Sequence, residues 1–364
     1  MTCSKEQSMW INNLIIWLLL AFLILGAADK IAGNKKGYGE AFDEGFRTMG
    51  PLAFVMTGMI SIAPLLAEFL RPVLVPVFTF LGADPGIFPG MLLAVDMGGY
   101  PLALELASSE EAALFSGIIL ATMLGPTFVF TVPVALGLIH KEQYSIFAQG
   151  IMYGLIPVPA GAFIAGLAAG MPPLFLLQQL VPVVLFVIII LIGLKWASTV
   201  MVQLFLIAGK GIMAFIAIII SIVAVQELTD TVIVEGLTPF SESMEIIGLI
   251  VLALAGAFPF VHFLRETVIP SCRKLIDKSP LPADAWVGLF TQLAHSIPMY
   301  KQLHTLDERS RLINIAFSVS GAFLVGGHLG FTAAVEPEMT AAMMSGKASA
   351  GIMAVMLVYW RYRS

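Results

Sequence analysis

Cysteine and charge are both scarce in this chain of 364 residues. Its two cysteines, Cys3 and Cys272, stand far apart and support neither a disulfide framework nor a thiolate metal site. Asp, Glu, Lys and Arg make up only 12% of the residues, about half the share of a soluble domain. Basic residues do not cluster with aromatics, which removes nucleic acid as a partner. No HExxH, GxSxG, CxxC or P-loop string occurs. The sequence therefore calls for no metal, no cofactor and no ATP hydrolysis of its own, and it reads as a non-enzyme. The longest stretches between apolar runs are short loops, so no soluble output domain is expected.

What fills the chain is apolar. Hydrophobic residues reach 59%, and the mean hydropathy is +0.94. Runs beyond about 18 apolar residues mark helices that cross a bilayer. The expected fold is an all-α polytopic membrane protein with nine spans, at 9–28, 50–70, 112–139, 145–170, 175–198, 201–228, 245–263, 312–335 and 340–360. The first run ends in a small-residue "GAAD" as a cleaved signal peptide does, but Glu6 offsets Lys5 and the run is long, so it is expected to be retained.

Two further apolar stretches are broken. One, 73–106, carries Pro76, Pro85, Pro89, Asp96, Gly98, Gly99 and Pro101; the other, 268–305, carries Pro270, Pro280, Pro282, His295 and Pro298. Broken backbone at membrane depth must be re-satisfied by protein or water. Both stretches are expected to be re-entrant hairpins, with kinked spanning helices as the alternative. With the N-terminus outside, fifteen of the 19 Lys and Arg fall on inner loops and ends, the C-terminus included. Lys5, Arg71 and Lys347 are assigned outside, and Lys210 lies within a helix. The outer loops "SSEE" (108–111), "DTVIVEG" (230–236) and "VEPE" (335–338) are acidic, an asymmetry that follows the positive-inside rule.

The chain also repeats itself. "FLRPVLVP" (69–76) answers "FLRETVIP" (263–270), and "VDMGGYP" stands opposite "AHSIPMY". This divides the chain into a first membrane repeat (1–174), a linking helix (175–200) and a second, inverted repeat (201–364). Inverted halves that each carry a Gly/Pro-broken segment point to a secondary transporter, with its site where the breaks meet near the midplane.

The candidate site residues follow from that expectation. Asp96 puts a carboxylate at the first break, suited to a cation; the alternative is a protonated group or a helix cap. His295 and Ser296 hold the matching place in the second hairpin, with Gln292 one turn before. His328, in "SVSGAFLVGGHLGF", is expected mid-helix, as a ligand contact or as an interhelical hydrogen bond. "MLGPTFVF" (123–130) is the equivalent break in the first half. Tyr100 and Tyr300 flank the breaks; either ring suits an ammonium group, and packing is the alternative for both. Asn314, Glu68, His262 and Glu105 are weaker candidates.

Several strings taken together carry a resemblance: "LAVDMGGYPLALELA", "GPTFVFTVPVALGLI", "IPMYKQLHTLDERSRLINIAFSVSGAF", "GGHLGFTAA" and "GYGEAFDEGFRTMGPLAFVMTGMISIAPLLA". Through these strings the chain resembles the bacterial ethanolamine utilisation permease family, in order and along nearly its whole length. The resemblance implies a cytoplasmic-membrane importer of ethanolamine, a small hydroxylated cation, with protons or sodium as candidate coupling ions and homo-oligomers allowed. Alternatives are an ethanolamine sensor in the membrane, or an ion-coupled carrier of another small polar amine. This chain has Gly327 where the family resembled has Asp, and His295 and Ser296 where it has Asn.

Overall fold

A computed structural model describes residues 2–229, 231–271, 276 and 278–362. Cys272, Arg273, Lys274, Asp230 and Arg363, which entered the charge and cysteine readings, lie outside the described residues. The described residues hold helices and no strand, and the chain is an all-α polytopic membrane protein.

The first half opens with α1 (Thr2–Ile31), α2 (Tyr38–Arg47) and α3 (Met49–Phe80). Next comes a pair of short helices, α4 (Ile87–Leu92) and α5 (Gly99–Leu106). Two helical runs follow, α6 (Glu110–Leu138) and α7 (Lys141–Ala168), and then α8 (Pro173–Trp196). The second half opens with α9 (Ser198–Thr229) and α10 (Phe240–Val268). After them come the short helices α11 (Ala283–Ala294) and α12 (Ile297–Gln302), then α13 (Glu308–Ser320), α14 (Gly327–Val335) and α15 (Thr340–Arg361). Among the described residues eight helical runs are long and apolar enough to cross a membrane. Large apolar side chains such as Trp17, Ile24, Ile189 and Ile207 are exposed on α1, α8 and α9, as lipid-facing positions require.

The short-helix pairs are hairpins, because their ends meet. At the first, Gly86 packs against Ala107. The buried Asp84 carboxylate accepts from the Gly86 amide at 2.8 Å, the Ser108 amide at 3.0 Å and the Ser108 hydroxyl. The Asp84 amide donates to Gln179 of α8 at 2.7 Å, which ties the mouth of the hairpin to α8. At the second, Arg309 at the start of α13 donates to the Pro280 carbonyl at 3.2 Å. Asp307 caps α13 by accepting from the Ser310 amide at 2.7 Å.

Three boundaries differ from expectation. The 73–106 hairpin is shorter at its start: residues 73–80 finish α3, which runs through Pro64, Pro72 and Pro76. Proline costs a helix an internal hydrogen bond, yet membrane helices tolerate it when neighbours compensate. The 268–305 hairpin likewise begins only at Ala283. The span at 312–335 is not continuous but breaks between Ser320 and Gly327. There Phe323 takes a left-handed φ of 61°. Its amide donates to the Gln292 carbonyl at 2.9 Å and the Val325 amide to the Leu293 carbonyl at 3.0 Å. Backbone bonds to the second hairpin thus replace the helical bonds that the break gives up.

Small residues set the close packing. A Cβ on Gly150 would lie 2.4 Å from Ile315, and one on Gly154 would lie 2.3 Å from Val319, so α7 sits tight on α13. Gly161 and Gly346 bring α7 and α15 together in the same way.

Candidate functional site

Each hairpin break is crossed by a broken helix, and each crossing depends on one glycine. In the first half a Cβ on Gly125 of α6 would sit 1.9 Å from the Leu93 carbonyl oxygen. In the second half a Cβ on Gly326 would sit 2.2 Å from the Ala294 carbonyl oxygen. Only hydrogen fits at either place. Gly98, with φ at 95°, closes the first break in a left-handed conformation that L side chains rarely adopt. Asp96 lies on the 3₁₀ turn Val95–Met97 inside this break. His295 is the extended residue that ends α11.

The two breaks face one cavity of 310 Å³. Asp96, His295 and His328 all line it, together with Phe130, Phe323 and Phe331. Among the described residues no Lys or Arg pairs with Asp96. The ring of Phe323 stands between the two histidines, 5.0 Å from His295 and 5.1 Å from His328 between centroids. Phe130 meets Phe323 edge to face at 5.7 Å. The site is a carboxylate and two imidazoles held among three phenyl rings. It offers a cation a charge partner and ring faces, and it offers a hydroxyl group imidazole donors or acceptors.

The other candidates stand close by with different tasks. Tyr100 turns its hydroxyl to Glu336, 2.6 Å away, and packs edge to face on Phe331. Gln292 is buried and donates to Asn314 at 2.9 Å, and Asn314 in turn donates to the Ala285 and Ser310 carbonyls. That chain of bonds ties α11 to α13. Ser296 is buried where α12 begins, and neither its hydroxyl nor the side-chain oxygen of Gln292 has a partner among the described residues. Tyr300 is buried against Phe147 and bonds Ser318 at 2.5 Å. His262 bonds the Lys36 carbonyl at 2.8 Å.

His328 is not mid-helix. It is the second residue of α14, placed at the cavity by the break that precedes it. Gly326 and Gly330 do permit close approach, but to different partners: Gly326 to the tip of the second hairpin and Gly330 to Leu254 of α10.

Lys347 corrects the sequence reading outright. It is not an outer-loop residue but lies in α15, 1% exposed. Its Nζ donates to the Thr122 carbonyl at 2.6 Å and sits 3.1 Å from Nδ1 of His328. The signal was in the sequence, because Lys347 lies inside the span expected at 340–360. The aromatic lining gave no comparable signal: Phe130, Phe323 and Phe331 belong to apolar runs in which phenylalanine is ordinary.

A second cavity, of 480 Å³, shares Phe258, Ala294 and His295 with the first. It is also lined by Glu40, Glu44, His262 and Arg265, at the ends of α2 and α10. It forms a vestibule between the site and one face of the molecule.

Comparison with known proteins gives a consistent result. The family described as "Ethanolamine utilisation protein, EutH" matches residues 11–360. The chain is 45% identical to a Listeria monocytogenes protein named "Probable ethanolamine permease EutH", over 95% of this chain and 93% of that protein. It is 36% identical to the Escherichia coli protein of the same name, over 95% and 94%. It is 43% identical to the Bacillus subtilis protein "Uncharacterized protein YxeR", over 97% and 95%. No solved structure matches. A family match across nearly the whole length, through both hairpins and every residue of the cavity, decides the assignment: the chain belongs to the EutH family of ethanolamine utilisation proteins.

Proposed function

We propose that the chain carries ethanolamine across the bacterial cytoplasmic membrane, as a secondary transporter or facilitator that works by alternating access. That both hairpin breaks line one cavity supports this reading of two inverted halves around a single site. The observation that carries this reading is Asp96, a carboxylate at a helix break, lining a cavity and with no cationic partner among the described residues. A charge at membrane depth is expensive and needs a partner. Ethanolammonium supplies one, with a hydroxyl at its other end for the histidines.

Size agrees with this. A cavity of 310 Å³ holds a ligand of four heavy atoms plus several waters, each needing about 30 Å³. So does the vestibule, where Glu40 and Glu44 draw cations toward the site. With the N-terminus outside, the vestibule opens to the cytoplasm and the molecule is inward-open. The relatives' names as permeases and the membrane-spanning fold support a carrier over an enzyme.

The test is uptake of labelled ethanolamine into proteoliposomes by wild type and Asp96→Asn, with and without a proton or sodium gradient. Uptake by the wild type alone supports the reading, and a gradient requirement identifies the coupling ion. Binding without uptake favours a membrane sensor. Neutral ethanolamine crosses bilayers unaided, so in cells the protein matters most at acidic pH, where the cation dominates. Equal uptake at acidic pH in cells lacking the protein contradicts this.

A further inference from the structure

Lys347 is a buried amine at membrane depth that the site as described does not use. A lysine in such a place is costly and marks function more often than packing. The elements around it narrow what it does. The part of α7 that packs most on α15, residues 158–168, and the stretch 115–123 of α6 carry no titratable side chain, while residues 144–155 of α7 bring Tyr144 and Tyr153 and α13 brings Arg309 and Arg311 to other parts of α15. Glu338 precedes α15, and Glu308 is bonded to Tyr362 at its far end. His328 of α14 is the titratable group that Lys347 meets, at 3.1 Å from Nζ to Nδ1, while the Thr122 carbonyl takes a second Nζ donor at 2.6 Å.

One Nζ hydrogen of Lys347 goes to the Thr122 carbonyl, and the amine has another to give. Donated to Nδ1 of His328, 3.1 Å away, it makes that nitrogen the acceptor and puts the ring proton on Nε2. His295 reaches the same tautomer by a different route, since its Nδ1 accepts from the backbone amide of Ile297 at 3.2 Å. Among the described residues no backbone N–H donates to His328; the backbone group beside it is the Thr122 carbonyl, an acceptor that Lys347 also engages, so the donor's part falls to Lys347.

We propose that Lys347 is a positioning residue that locks His328 as an Nε2–H donor toward the cavity, so that the site reads the hydroxyl oxygen of its ligand opposite the carboxylate that holds the ammonium. Asp96 then selects for a cation, and the Lys347–His328 pair selects for an acceptor on the cation's other end. Simple alkylammonium ions of the same size lack that acceptor. This rests on the ethanolamine reading above and deepens it.

The test has two arms. In the first, protein labelled with ¹⁵N-histidine is reconstituted in nanodiscs, and His328→Gln assigns the His328 signals among the five histidines. The wild type is expected to show the Nε2–H signature at His328. Lys347→Met is expected to show mixed tautomers, and Lys347→Gln, whose amide still donates, to restore the wild-type signature. In the second arm, ethanolamine and ethylamine are titrated against the same proteins. The wild type is expected to prefer ethanolamine about tenfold, the size of one hydrogen bond. Lys347→Met is expected to lose that preference with its ethylamine affinity unchanged. An Nδ1–H signature in the wild type overturns the proposal, as does equal weakening of both amines by Lys347→Met. A wild type that binds neither amine overturns the functional reading instead, and the labelled spectrum still decides whether Lys347 sets the tautomer of His328.

Discussion

The two hairpins share a backbone plan and differ in chemistry. Both are pairs of short helices broken at the tip, and at both a glycine of the crossing helix lies on a tip carbonyl, Gly125 on Leu93 and Gly326 on Ala294. Yet the first break holds a carboxylate, and the second holds an imidazole. Their mouths differ as well. The first is closed by the buried Asp84, which also connects it to α8 through Gln179, while the second is held by the half-buried guanidinium of Arg309. The plan keeps what the fold needs, and in the proposed function the side chains divide the work of recognising a ligand with two unlike ends.

The largest expected effect tests that division. Asp96→Asn keeps the shape of the break and removes its charge. Losing one partner of a buried charged pair costs about 2–5 kcal/mol, so ethanolamine affinity should fall by about thirtyfold or more. His295→Gln removes only a neutral contact, worth about 1 kcal/mol or roughly fivefold. Isothermal titration of both variants checks the ratio. Equal losses would mean that the breaks do not have separate roles.

The next effect tests the shared plan. Gly125→Ala and Gly326→Ala each force a methyl group into a carbonyl oxygen, at 1.9 and 2.2 Å. Overpacking of this kind costs about 1–3 kcal/mol, and the two variants should lose similar amounts. Thermal unfolding in detergent, followed by tryptophan fluorescence, compares them. A large loss in one and none in the other would separate the two crossings.

How much of this was legible in the sequence depends on how each feature arises. Spans such as 173–196 and 198–229 read clearly because length and hydropathy are what the bilayer demands. The hairpins read from Gly and Pro in apolar runs, but their limits did not, since α3 carries Pro64, Pro72 and Pro76 without breaking. The break at 321–326 was missed because it is made by backbone bonds from Phe323 and Val325 to another segment, and no local pattern encodes those. Of the six proposed site residues, Asp96, His295 and His328 meet at the cavity, while Tyr100, Gln292 and Ser296 are not among its lining. The first three stand at breaks, where side chains reach open space. Gln292 lies inside a helix, where its neighbour Asn314 takes up its amide.

A smaller effect separates mouth from tip. Asp84→Asn keeps the size of the side chain but weakens the bonds to Gly86 and Ser108. Hydrogen bonds to a charged group contribute about 1.5–3 kcal/mol, and an amide oxygen retains part of that, so a loss near 1 kcal/mol is expected. Ethanolamine affinity should stay within about twofold, since that mouth residue does not line the cavity. A loss of affinity without a loss of stability would make the clasp part of the site.

The smallest expected effect concerns the tyrosines that flank the two breaks, which look alike in sequence. Tyr300 is enclosed, with its ring on Phe147 and its hydroxyl on Ser318. Tyr300→Phe leaves the ring and removes the hydroxyl. Ser318 still donates to the Ile315 carbonyl at 2.6 Å, so no donor is orphaned. The loss should be about 1 kcal/mol or less in stability, with transport unchanged. Tyr100→Phe instead frees the half-buried Glu336 carboxylate and leaves the ring on Phe331 of the cavity wall without the bond that fixes it. That wall belongs to the site, so here uptake should change even if stability does not. Side-by-side uptake and melting of the two variants decide it: if both behave as Tyr300→Phe is expected to, Glu336 has no influence on the site.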